Sequence, residues 1–381
     1  MKIIHCCLSS FYIDGYTYQE NELVREHINS GHEVLVIAST ESFDKKQKKI
    51  YSEPSEYIGS EGAKVIRLPF SKWLPTAIMK KVKSYQGLYA LLERFSPDVI
   101  MFHGLSALEL LTVCRFKRKH PKILFYADNH ADANNSAKNF VSKLILHHFF
   151  YRKVIQNCLP QIEKVLCISV ESMKFCSNVY RVPESCLEFY PLGGHVFSDR
   201  EYYERRVRLR ENFNLNADAV LFVQTGKFDE KKRLVDSLRA FSSIYNQNFR
   251  FFIAGSLSED IKEQVAPIIA SDNRVHFLGW KNSDFLKDLL CAADVYVQPG
   301  SQSATMQMSL CARCPVILDD VVSHEVFVKG NGWLVYDKSG LQEAIEEINS
   351  APEKLNLMSQ KSLEISQKLL DYKHLSKRIL K

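Results

Sequence analysis

Four cationic side chains, Lys227, Lys231, Lys232 and Arg233, fall within seven consecutive positions of the segment AVLFVQTGKFDEKKRLVDSLRAF, residues 219–241. An apolar run at 219–223 reads as a buried strand, which Thr225-Gly226 is expected to break. Leu234, Leu238 and Phe241 then recur at helical spacing, so a helix should begin directly after the basic cluster. A turn between the carboxyl end of a strand and a helix N-terminus suits a phosphate, because unpaired backbone N–H groups and the positive end of the helix dipole meet there. Added lysines imply a ligand carrying more negative charge than one helix end neutralises. A solvated basic turn is the competing reading of the same residues.

The elements that must position this turn follow from the rest of the chain. Its 381 residues suit two domains, and 46% hydrophobic with 25% charged residues describe an ordinary globular protein. A net charge of +6 is too small and too dispersed for a nucleic-acid partner, but it is compatible with polyanionic small ligands or an anionic membrane surface. The N-terminal segment MKIIHCCLSSFYIDG has too short an apolar core for a signal peptide, and no stretch is long and apolar enough to span a bilayer. The ten scattered cysteines read as reduced thiols, and the expected location is the cytoplasm. Cys311 and Cys314 form a lone CxxC, read as small core residues.

Strands are expected at 2–7, 34–38, 65–67, 99–102, 123–126 and 164–168, with helices through Leu23, Val24 and Ile28, over 77–95 and within 136–158. This alternation is the βαβ pattern of a parallel α/β sheet. Pro191-Leu192-Gly193-Gly194 punctuates it, and a charged, helix-like connector follows at 199–214. The rhythm then restarts with strands at 219–223, 251–253, 275–277, 295–298, 316–318 and 333–335. The expected division is a Rossmann-like domain at 1–195, a second at 196–365, and a C-terminal helix at 366–381 that crosses back to the first.

The second half carries GKFDEKKR, FFIAGS, VHFLGW, AADVYVQPGS, CPVIL and HEVFVKGNGWLV in that order, after SGHEV, LCISVES and YPLGG in the first. Order and spacing together resemble the retaining glycosyltransferases of family four, which have the GT-B fold: two Rossmann-like α/β domains with a cleft between them. The resemblance runs from Met1 to about Val335. It implies a nucleotide-sugar donor as substrate, with no cofactor and no metal, because lysines and a helix N-terminus supply the positive charge. Lys227 and Lys232 match the two diphosphate-binding positions, led by Gly226 and flanked by Lys231. Positive charge there stabilises the anion that forms as the glycosidic bond to phosphate breaks. The resemblance places further donor contacts at Gly255 and Gly279, the latter beside the nucleotide base, and along Gly300, Ser301, Gln302, Ser303 and Ala304. Ser303 has an alternative reading as a helix cap. The family's two glutamates should stand at positions 300 and 308, where this chain has Gly300 and Met308. Gln307 is the nearest polar substitute. Glu325 matches a family glutamate and reads equally well as a helix N-terminal charge.

In the first domain the resemblance assigns the loop at 11–19, with Gly15, to the other side of the diphosphate. It makes His130 a catalytic group near the sugar, while His103, Asp128 and Asp132 orient sugar or acceptor; structural roles for these strand-end residues stay open. The implied acceptor is a glycan or polyprenyl-linked saccharide in bacterial surface-polysaccharide synthesis, such as O-antigen or capsule. Two basic-aromatic stretches fit peripheral contact with the inner face of the cell membrane, or alternatively ordinary core-facing helices. They contain Lys72, Trp73, Ile78, Met79, Lys80, Lys81 and Lys83 in the first, and Lys138, Phe140, Lys143, Leu144, Phe149 and Lys153 in the second. Two rival readings share the fold: a sugar-nucleotide epimerase, and a non-catalytic nucleotide-sugar-binding protein.

Overall fold

The computed structural model describes residues 1–43, 48–132, 142–301 and 303–381, with backbone alone over 142–145. The chain forms two compact units, Met1–Pro191 with Leu375–Lys381, and Leu192–His374. It therefore leaves the first unit after Pro191 and returns to it within the C-terminal helix Tyr372–Arg378.

The first unit contains β1 (Lys2–Cys7), β2 (Glu33–Ser39), β3 (Glu41–Phe43), β4 (Lys49–Tyr51), β5 (Ser55–Ile58), β6 (Lys64–Leu68), β7 (Val99–Phe102), β8 (Leu124–Asn129), β9 (Val165–Cys167) and β10 (Leu187–Phe189). Eight of these form one sheet in the order β10-β9-β8-β7-β1-β2-β6-β5, parallel except for β5 against β6, while β3 and β4 make a separate hairpin. The inner strands are buried on both faces, so they read as continuous apolar runs rather than alternating ones. His5, 0% exposed in the middle of β1, is a polar exception.

The single helix expected at 77–95 is instead two, Thr76–Val82 and Leu88–Phe95. Lys83 and Gly87 both adopt left-handed backbone and end the periodic pattern between them. Lys83 consequently turns inward, where its Nζ donates to Ser9 O at 2.5 Å, and burial lowers its pKa to about 8. It is therefore no part of a basic outer face. Lys138, Phe140, Lys143 and Leu144 of the second amphipathic stretch lie outside the described residues or side chains. The short strands β3, β4, β5 and β10 carry no signal long enough to read in advance.

The second unit contains β11 (Val220–Phe228), β12 (Phe249–Leu257), β13 (Val275–Gly279), β14 (Val295–Gln298), β15 (Val316–Asp319) and β16 (Gly332–Val335). All are parallel, in the order β13-β12-β11-β14-β15-β16. This is the doubly wound order, and the direction of winding reverses between β11 and β14. The same reversal falls between β1 and β7 in the first unit. Phe222, Phe241, Phe249 and Phe251 pack ring to ring under the sheet, with centroids 5.1–6.4 Å apart.

Thr225-Gly226 does not end its strand. β11 continues through Gly226 and Lys227, which pair with Gly255 and Ser256 of β12. Gly226 and Gly255 have φ of 147° and 149°, and a Cβ on Gly255 would stand 1.8 Å from the carbonyl oxygen of Gly226. Two glycines side by side let the strands stay paired where any side chain would part them.

The charged connector is a packed helix, Asp199–Asn212. Arg206 donates to the carbonyls of Cys291, Ala292 and Ala293 at the end of helix Ser283–Ala292, satisfying acceptors that a helix C-terminus leaves open. Arg206 and Arg210 also pair with Asp294, whose carboxylate accepts the Leu221 N–H at the start of β11.

Candidate functional site: two strand crests at the winding reversals

Chemically equipped residues gather at carboxyl strand ends in each unit, after β7 and β8 in the first and after β11 and β14 in the second. In the second unit the turns after β11 and β14 are joined directly. Ser301 N–H donates to Lys231 O at 3.0 Å, and Lys232 Nζ donates to Ser301 O at 2.7 Å. Gln224 Nε2 donates to Lys232 O at 2.9 Å and Gln298 Nε2 to Ser301 O at 2.7 Å. Gln298 Oε1 accepts from Tyr296 at 2.9 Å and from Ser303 at 2.6 Å.

Arg233 fixes the underside of these turns, donating to the carbonyls of Pro299 and Tyr336 and pairing with Asp319 and Asp236. It is a structural cation with left-handed backbone (φ 51°). Lys227 and Lys231 are exposed, whereas Lys232 is 9% exposed. Burial lowers the Lys232 pKa, partly offset by the Asp229 carboxylate. Lys232 is thus the lysine whose position is fixed, and the other two supply charge at the rim.

Several expected donor contacts are altered by this packing. The Ser301 N–H is already engaged by Lys231 O, so it is not an open donor. Ser303 caps helix Ala304–Cys311 by accepting the Met306 N–H, as its structural reading required. Gln302 lies outside the described residues. Ala304 is exposed at the first helical position. Gln307 is 3% exposed, and its Oε1 has no hydrogen-bond partner among the described residues. Gly279 (φ 71°) ends β13 beside the exposed rings of Phe277 and Trp280. Glu325 is exposed on a turn after His324, whose Nδ1 lies 2.8 Å from Asp319 O.

Gly300 is required by close approach. A Cβ there would sit 2.1 Å from Lys231 O, with backbone rather than a flexible side chain in its way. Gly300→Ala is expected to lose about 1–3 kcal/mol of stability by overpacking and to displace Lys232 from Ser301. Calorimetric unfolding with a nucleoside-diphosphate titration checks both; an unchanged Tm and affinity would contradict the tight turn.

In the first unit the crest is built from imidazoles and one carboxylate. Asp128, at the end of β8, is fully buried. Its Oδ2 meets His103 Nδ1 at 2.5 Å, its Oδ1 accepts the Gly104 N–H at 2.6 Å, and His130 Nε2 stands 3.6 Å from Oδ1. The last is an ion-pair contact rather than a hydrogen bond. Burial opposes ionisation of Asp128, but the charges of His103 and His130 outweigh it and hold the carboxyl well below the usual range. Burial likewise disfavours a charged His130, yet the Asp128 carboxylate raises its pKa to about 9. The His130 side chain is 32% exposed, so this imidazolium can meet a ligand. His103 is fully buried behind Asp128, which corrects its expected direct contact with sugar or acceptor. Asp128 is enclosed in the same way. Asp132 is half-buried at the edge of the described residues.

The loop carrying Gly15 is pinned in place by Arg67, which donates to Ser39 O, Tyr12 O and the Tyr57 hydroxyl. Gly15 has φ of 75° and its N–H donates to Ser60 Oγ at 2.8 Å. Sequence reasoning passed over His5, His27 and Gln298. The one advance signal was a histidine inside the apolar strand KIIHCC.

All ten cysteines are free thiols. Cys311 and Cys314 are fully buried or nearly so, as small core residues.

Residues 219–350 match the family described as glycosyl transferases group 1. The uncharacterized glycosyltransferase MJ1607 of Methanocaldococcus jannaschii is 24% identical over 207 residues, covering 51% of each chain. The match therefore spans about half the length of that curated relative. Among solved structures, sucrose-phosphate synthase (tll1590) from Thermosynechococcus elongatus superposes with a TM-score of 0.68 at 15% identity, over 100% of this chain and 97% of that one. Anabaena Alr3699/HepE in complex with UDP superposes at 0.66 and 13% identity, over 100% and 98%. The chain therefore has the GT-B fold of two Rossmann-like α/β units, with its glycosyl transferases group 1 match in the second of them.

Proposed function

We propose that this protein is a retaining glycosyltransferase that moves a sugar from a nucleotide-sugar donor to a glycan or lipid-linked saccharide. The observation that carries the reading is Lys232, held at the winding reversal of the second unit with its amine on the Ser301 carbonyl. Ligands of open α/β sheets bind outside the carboxyl ends of the strands at such a reversal. Lys227 and Lys231 at the same crest give the positive charge that a departing diphosphate needs. HepE, a protein of the same fold, binds UDP, which supports a uridine donor.

Transfer with retention leaves the incoming hydroxyl proton to the departing phosphate, so no strong protein base is demanded. His130, as an imidazolium, then donates to a sugar or acceptor oxygen. The lysine crest supplies charge without a metal in this reading. Exposed Trp73, Leu74, Ile78 and Phe149 beside Lys72 and Lys81 support contact of the first unit with a lipid surface, where a polyprenyl-linked acceptor for surface polysaccharide would reside.

The test is a thermal-shift screen with UDP, GDP, ADP and CMP, followed by product analysis of the matching nucleotide sugar with and without acceptor. Expected are stabilisation by one nucleoside diphosphate and transfer that requires the acceptor. Conversion of the donor alone would indicate an epimerase, and binding without transfer a non-catalytic protein. Repeating the transfer with anionic vesicles checks the lipid contact: protein that never sediments with them would remove it.

A further inference from the structure

Four hydrogen bonds run in series through the core of the first unit. Ser376 O meets His27 Nε2 at 2.9 Å, His27 Nδ1 meets His5 Nε2 at 2.9 Å, His5 Nδ1 meets His103 Nε2 at 2.9 Å, and His103 Nδ1 meets Asp128 Oδ2 at 2.5 Å. His27, His5, His103 and Asp128 are all 0% exposed. Both ring nitrogens of His27, His5 and His103 are used, so each of the four links must hold one proton.

The direction of the chain follows from its ends. A carbonyl oxygen only accepts, so His27 Nε2 must donate to Ser376. Neutral His27 then accepts at Nδ1 from His5 Nε2–H, and His5 in turn accepts at Nδ1 from His103 Nε2–H. Three neutral imidazoles bring three protons to four links. The fourth must be added between His103 and Asp128. Asp128 already accepts the Gly104 N–H and faces His130, which favours its carboxylate form. The additional proton therefore resides on His103.

We propose that the Ser376 carbonyl, acting through His27 and His5 as positioning residues, imposes this additional proton on His103 and so fixes the charge environment of Asp128 and His130. The chain is a lock rather than a wire. Proton conduction would require every link to reverse, and the carbonyl cannot donate. If the Ser376 link is removed, three protons suffice for three links, the two histidine–histidine bonds can reverse, and His103 becomes a neutral donor to Asp128 through Nδ1.

The other titratable groups facing the cluster are His32 beside His27, Glu20 and Cys167 beside His130, and Cys7 and Tyr190 near Asp128. None of them enters the series. Burial keeps His5 and His27 neutral, the latter with its pKa lowered to about 4, in agreement with the assigned tautomers.

The experiment compares the full-length protein with His27→Leu and His27→Gln by imidazole ¹⁵N NMR from pH 6 to 10. A glutamine donates through Nε2 to Ser376 O and accepts through Oε1 from His5, so it preserves the count, whereas leucine cannot. In the unaltered protein and in His27→Gln, His103 is expected to carry protons on both ring nitrogens at pH 7. In His27→Leu it should carry one, on Nδ1, and the His130 midpoint should rise on the order of one pH unit because a neighbouring positive charge has gone. A His103 with one proton in the unaltered protein would overturn the proposal, even where a variant fails to fold, and so would identical behaviour of the two variants. The kinetic arm rests on the proposed function: the alkaline limb of sugar transfer should move with His130 in the leucine variant only. Spectra as expected with an unmoved limb support the proton count and refute the placement of His130 in the site.

Discussion

Lys232→Ala is expected to reduce sugar transfer by about 10²–10³-fold, the cost of removing one preorganised donor from a developing anion, and to weaken nucleoside-diphosphate binding. The folded state should survive. Lys232 touches the end of the sheet rather than its core, and the Ser301 carbonyl it leaves still accepts from Gln298. Lys227→Ala, at an exposed position on the rim, should cost less. Steady-state kinetics alongside unfolding curves separates the two effects. Undiminished turnover in a folded Lys232→Ala protein would refute the role assigned to this crest.

Asp128→Asn is expected to be the most destabilising single change in the first unit. It leaves the His130 cation and the fully buried His103 ring without their shared carboxylate. Removing one partner of such a pair costs about 3–5 kcal/mol, a fall in Tm on the order of 10 °C for a unit of this size. The pH dependence is part of the expectation. Asp128 is depressed in the folded state, so its contribution is present above the ordinary carboxylate value of 3.8 and is lost as pH falls through the folded value. His130 is raised from 6.5 to about 9, so its contribution is complete below 6.5 and is lost as pH rises through about 9. The asparagine variant should lose that alkaline decline, which unfolding curves measured between pH 6 and 10 would show. Unchanged stability and an unchanged alkaline limb would mean that the carboxylate is not the partner of these imidazoles.

Much of the frame is legible in the residues because parallel strands buried on both faces announce themselves. Runs such as VIMF and VYVQ could only be inner strands, and their alternation with amphipathic stretches fixes the α/β class. The basic cluster after 219–223 is legible for the same reason, since four cations in seven positions break an otherwise apolar rhythm. What failed were endings set by long-range contact. Strand β11 passes through Thr225-Gly226 because Gly255 of a neighbouring strand permits it, and Gly255 is nowhere near in sequence. The inward turn of Lys83 likewise ends on Ser9, a partner 74 positions away that local spacing does not reveal.

The site was legible by residue type and less so by partner. Lys227, Lys231, Lys232 and Gly300 do come together, but which N–H groups are already engaged is a property of packing. The Ser301 N–H, expected among the donor contacts, is occupied by Lys231 O. His103 looked like a strand-end ligand and proved to be one link of a series reaching Ser376, 273 positions further along the chain (376 minus 103). No local pattern could have joined His5, His27 and His103, because each stands alone in its own segment.

A crystal structure of the protein with UDP tests the central claim most directly. The diphosphate should lie over the turns after β11 and β14, with its oxygens in hydrogen-bond reach of Lys232 and Lys227. A diphosphate bound elsewhere, with both amines turned away from it, would contradict that claim.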